Sequence, residues 1–172
     1  AISYNVVTVG TGVPAYLKLD DTSTPYDLIW VACSARGTAV RIDVNTGQIL
    51  GEYWTAPTGR WRNPSRTTVD VDGNVWVTNR DEAGLINNVA HGSVTKIGLV
   101  VGGTRCNADG TPNPSGDYLK PPFIYSTAVD RNGDGLIKTS RGLGDVRPWP
   151  TGTDGVGSTD GASHIAKVQD AE

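Results

Sequence analysis

The chain contains no methionine, one phenylalanine, two histidines and two cysteines, and each scarcity removes a kind of chemistry. His91 and His164 stand in neither an HExxH pair nor any short-spaced ligand pair, so the His-pair motif of hydrolytic zinc sites is missing. Cys33 and Cys106 are 73 positions apart, which fits neither a CxxC redox pair nor a zinc knuckle and leaves one long-loop disulfide or two separate thiols. Position 1 is Ala1 instead of Met, as expected for a processed product or a fragment. Charge is also scarce, at 19% of residues with a net of −3. The basic side chains are scattered, so no electrostatic footprint for nucleic acid is present. Apolar runs stop far short of the roughly 18 residues that a membrane span needs. Both Asn-X-Ser candidates, at Asn63 and Asn113, have Pro in the middle and are not glycosylation sites.

What is abundant points to strands and turns. The 22 Gly and 10 Pro exclude a helical bundle. Of 18 acids only Glu52, Glu82 and Glu172 are Glu; the rest are Asp, a residue of turns and oxygen-rich loops. Alternation and turn chemistry predict a meander of 28–33, 37–43 and 48–55, and a second unit of 66–71, 75–79 and 92–97. A third unit opens at 123–129 and continues at 136–140. Residues 65–80 also align with 125–141, so that Val69-Asp70 matches Val129-Asp130 and Arg80 matches Arg141. A second correspondence sets Ile29-Trp30-Val31 on Val75-Trp76-Val77, 46 positions on, a spacing suited to propeller blades.

The expected fold is therefore all-β: about two and a half to three four-stranded antiparallel propeller units, an incomplete ring, at about 26–56, 65–101 and 123–172. A β-sandwich is the competing architecture. An inserted loop is expected at 98–122 and a Gly/Asp-rich tail at 142–172, with a short helix at 162–171. The strings IWVACSARGTAVRIDVNTGQILGEYW, NPSRTTVDVDGNVWVTNR and GSVTKI resemble bacterial secreted β-propeller proteins related to streptogramin (virginiamycin B) lyase, the SMP-30 group and YVTN repeats. That resemblance implies a secreted or cell-surface protein. It would also imply a His-centred or Glu/Asn/Asp metal site at the propeller axis, which no residue of this chain matches. No catalytic residue is assigned, and fold alone does not carry function.

The sharpest motif is Asp130-Arg131-Asn132-Gly133-Asp134-Gly135-Leu136. Side-chain oxygens at Asp130, Asn132 and Asp134, with the carbonyl of Leu136, reproduce the first ligands of a calcium loop. The Glu of a full EF-hand is replaced by Arg141, and Asp145 is the candidate that closes the shell. The alternative is an Asx-Gly turn without metal. Arg80 and Arg141 could line an anion or glycan site or pair with Asp70 and Asp130. Arg60-Trp61-Arg62 has the composition of a contact surface, or of a Trp packed between blades. Trp30, Tyr53 and Trp76 read as core. Together these features describe a non-catalytic, calcium-stabilised extracellular module that takes a protein or glycan partner. Two alternatives stand beside it: a subunit that self-associates through open strand edges, and a lyase or lactonase completed by residues outside the chain.

Overall fold

The computed structural model describes residues 26–56, 61–80, 92–128, 130 and 132–147, together with the backbone pairing of 8–9, 17–18 and 165–168. Arg60, Val129, Arg131, His91, His164 and residues 148–164 of the expected tail lie outside the described residues. The described residues are all-β, in several small sheets, none of them closed.

Strands β1 (Thr8–Val9) and β2 (Leu17–Lys18) form a short antiparallel pair. The first meander is β3 (Leu28–Cys33), β4 (Thr38–Asp43) and β5 (Ile49–Trp54), as the alternation predicts. Its β4–β5 turn forms because Asp43 accepts the N–H groups of Asn45 and Thr46 at 2.9 and 2.8 Å and Gly47 supplies the positive φ of 71°. The second meander is β6 (Pro64–Val69), β7 (Val75–Asn79) and β8 (Ser93–Ile97). Both meanders fall where the sequence places them.

The remaining strands depart from expectation. Residues 98–122, expected as a loop, carry β9 (Val100–Cys106) and the start of β10 (Tyr118–Ser126), paired antiparallel. The ladder shifts register between Lys120 and Phe123, where Pro121 and Pro122 have no N–H to donate. Strand β11 (Ile137–Lys138) pairs with Tyr118 and Leu119. The similarity of 65–80 to 125–141 is therefore one of turn chemistry and not of pairing. Strands β12 (Val146–Arg147) and β13 (Ile165–Val168) complete the sheets as outer strands, giving the orders β12-β5-β4-β3 and β13-β8-β7-β6. Both run parallel to their partners, so these four-stranded sheets are not wholly antiparallel. Each outer strand arrives by a long connection, as parallel pairing requires. Ile165–Val168 is thus a strand where a short helix was expected, because an open sheet edge offers backbone partners that one or two helical turns cannot match.

The main core lies between the two meanders: Trp30, Ala39 and Tyr53 pack against Val75, Val77 and Ile97. Trp30 and Tyr53 are core as expected, with ring centroids 5.7 Å apart. Trp76 is only half-buried and donates its indole N–H to Asp70 at 2.9 Å. The Trp30/Trp76 correspondence joins the edge strand β3 to the inner strand β7, so it is not one of position in the sheet. Strands β3 and β6 lie side by side, bridged by the Thr67 hydroxyl donating to the Trp30 carbonyl at 3.1 Å. A smaller core of Val100, Leu119 and Ile137 holds the third sheet. Among the described residues no helix is long and apolar enough to cross a membrane.

Candidate functional site

The Asp130 loop is a self-contained turn. Asp130 accepts the N–H groups of Gly133 and Gly135, both at 2.8 Å. Asp134 accepts the Leu136 N–H at 2.7 Å and the Asn132 amide at 3.0 Å. Gly133 and Gly135 adopt φ of 75° and 79°, the left-handed region that a side chain would resist. Asp130, Asn132, Asp134 and Leu136 thus lie in one turn whose carboxylates are met by N–H donors, the pattern of an Asx-Gly turn. Asp145 is held elsewhere: it accepts the Arg141 backbone N–H at 2.8 Å and Nε at 3.2 Å, and pairs with Arg147. Burial raises its pKa, but these donors outweigh burial and hold it below the ordinary carboxylate value. Among the described residues no three His, Cys, Asp or Glu side chains form a metal-ligating group. The aligned turn at Asp70 repeats the Asx pattern, with Asp70 accepting Asp72 and Asn74 N–H groups at 3.1 and 2.9 Å.

Arg141 pairs with acids, though with Asp117 and Asp145 in place of Asp130. Arg80 donates to the Asn63 side chain at 3.1 Å. Arg141 bridges Asp145, Asp117 at 3.4 Å and the Ser115 carbonyl at 2.8 Å, because the β10–β11 excursion brings it beside the start of β10.

That placement builds a concave site at the end of the β9–β10 hairpin. The cleft measures about 420 Å³ and is lined by Asn107, Asn113, Ser115, Asp117, Tyr118 and Arg141 among others. Its walls are held by their own bonds. Asn113 donates to Asn107 at 2.7 Å, Asn107 donates to the Thr111 hydroxyl at 2.9 Å, and Asn113 accepts the Ser115 N–H at 2.9 Å. Gly116 is sterically required, since a Cβ there would collide with the Cys106 carbonyl. Behind it, Arg105 ties the hairpin to the next segment by donating to the Thr139 and Ser140 carbonyls at 3.1 and 2.7 Å. Arg141 and Asp117 keep 44% and 40% of their side-chain surface exposed, although Asp117 also pairs with Arg147 at 3.6 Å.

The Arg60-Trp61-Arg62 surface is divided. Trp61 is 67% exposed, as a contact residue would be. Arg62 instead lies over the Trp54 ring at 3.9 Å and donates to the Ala56 carbonyl at 2.8 Å, a packing role.

Sequence reasoning passed over Glu52, which is fully buried and accepts four hydrogen bonds, described below. The cleft at Asn107–Tyr118 falls within 98–122, a segment expected as a partner-facing loop, and the density of Asn, Ser and Asp between two Gly-containing turns is the local signal for it. Both cysteines are free thiols, Cys33 half-buried and Cys106 buried. Compared with protein-family models, with curated proteins and with solved structures, the chain finds no match.

Proposed function

We propose that the chain is a non-catalytic, calcium-stabilised binding module of a secreted or cell-surface bacterial protein, and that its cleft at Asn107–Tyr118 and Arg141 takes a glycan. The observation that carries this reading is the grouping of side-chain amides, a hydroxyl, a carboxylate and a guanidinium around one open depression of about 420 Å³. Sugar hydroxyls both donate and accept, so they are matched by Asp117 as acceptor and by Arg141 and the Asn amides as donors. Such side chains fixed by mutual bonds lose little entropy on binding.

Calcium held by Asp130, Asn132, Asp134 and the Leu136 carbonyl would stiffen the turn that precedes β11, and with it the strand leading to Arg141. Asp130 and Asp134 supply the hard oxygen donors that calcium takes, and the ion would replace some of the N–H groups that those oxygens accept now. The two meanders are read as neighbouring propeller blades, since their first strands β3 and β6 run side by side, as inner strands do around an axis.

The test is binding of the purified chain to a glycan array with and without calcium. Saturable binding to a defined saccharide, lost in Arg141→Ala and Asn113→Ala, is expected. Absence of saturable binding across the array, or binding untouched by both substitutions, would refute the reading.

A further inference from the structure

A second cleft, of about 350 Å³, lies beside the first sheet and is lined by Arg41 with Tyr26, Asp27, Leu28, Asp43 and Val100 among others. Arg41 is 6% exposed, yet its guanidinium is poorly matched. Among the described residues its one hydrogen bond runs from Nη1 to the Val100 carbonyl, at 3.5 Å, and its Nε–H is buried with no acceptor. The Trp30 ring centroid is 6.0 Å away, at the outer limit of a cation–π contact. Arginine forks are normally filled by a carboxylate or carbonyl pair when buried.

The two acids of the same cleft do not fill this one. Asp43 spends Oδ1 on its own turn, accepting from Asn45 and Thr46, and Asp27 is exposed. A simple anion would meet Arg41 but also two carboxylates, while a simple cation would meet the guanidinium. A molecule carrying both signs satisfies all three groups.

We propose that this cleft binds a small amphoteric ligand of amino-acid or dipeptide size, its carboxylate on Arg41, its ammonium toward Asp27 and Asp43, and its apolar body against Leu28 and Val100. The site is separate from the glycan cleft and does not depend on it.

The test is calorimetric titration of the intact chain with leucyl-leucine, its N-acetyl derivative and its C-terminal amide. Saturable binding of the free dipeptide is expected, weakened about tenfold or more by blocking either end, since each block removes one charge-assisted contact. Asp27→Asn, at an exposed position, should weaken the free dipeptide by a similar factor, and Arg41→Met should abolish binding. Should Arg41→Met fail to fold, Asp27→Asn and the blocked ligands still decide. No saturable binding of the free dipeptide up to about 10 mM, equal binding of the N-acetyl form, or indifference to Asp27→Asn would each overturn the proposal.

Discussion

Glu52 and Arg36 form a two-pronged ion pair across the first meander, with Nε and Nη2 of Arg36 each 2.8 Å from a Glu52 oxygen. The carboxylate also accepts the Thr38 hydroxyl and the Gly144 N–H, both at 2.8 Å, and the Glu52 N–H donates to Ser140 at 2.9 Å. One fully buried side chain thus ties β4, β5 and the segment after β11 together. Glu52→Ala leaves the Thr38 hydroxyl and the Gly144 N–H without their acceptor. Each unmet buried donor costs about 1–3 kcal/mol, so urea denaturation should show a loss of roughly 2–6 kcal/mol, with Glu52→Gln milder. A loss below about 1 kcal/mol would show that the cluster is not a structural clamp.

Acid should destabilise the fold through the same group. Burial raises the Glu52 pKa, but the bonds from Arg36, Gly144 and Thr38 outweigh it and leave the value lowered. At Asp70, burial is likewise outweighed by the Trp76 and Asn74 donors. A carboxylate whose folded pKa lies below its unfolded one contributes stability that is complete above the unfolded value and is lost as pH falls toward the folded one. Stability should therefore be flat near neutrality and decline below about pH 5. Glu52→Gln should flatten part of that decline, as read from melting temperature against pH.

The two thiols should differ sharply. Burial pushes the Cys106 thiol up, and its side chain is wholly covered, whereas Cys33 is half-buried. A thiolate-specific reagent should label Cys33 first and Cys106 only on unfolding, giving two equivalents in denaturant. Zero equivalents in denaturant without reductant would mean a disulfide and would contradict the structure.

Both meanders were legible because 28–33 is a short apolar run and 75–79 and 93–97 alternate, each set between turns with strong local chemistry, such as Asp43 to Gly47. Strand β9 was not, because Gly102-Gly103 reads as a loop. Their φ values of 80° and 85° let Ile124 and Phe123 approach where a Cβ would come within 2.9 and 2.8 Å. Strands β12 and β13 were hidden for another reason: they are short, and their stability comes from sheet edges far away in the chain. The Asp130 turn was legible as a local motif, whereas the pairing of Asp145 with Arg141 and Arg147 leaves no pattern that the loop motif would reveal. Glu52 reads as a solvent-facing strand residue until β4 and the 144 turn close over it.

Calcium and the cleft should be separable by mutation. Added calcium should raise the melting temperature of the wild-type chain, and chelation should reverse the shift. Asp130→Asn with Asp134→Asn should abolish the shift. Gly116→Ala leaves the loop intact but drives a Cβ into the Cys106 carbonyl, so it should keep the calcium response while costing about 1–3 kcal/mol and weakening glycan binding. A wild-type melting temperature indifferent to both calcium and chelator would remove the metal from the account.

Glycan binding at the Asn107–Tyr118 cleft is tested most directly by titrating the isotope-labelled chain with the array's best saccharide and following backbone amide shifts. Saturable shifts clustered at Asn107, Ser115, Gly116, Asp117, Tyr118 and Arg141, and absent in Arg141→Ala, are predicted. Shifts confined to other surfaces, or none at saturating saccharide, would contradict it.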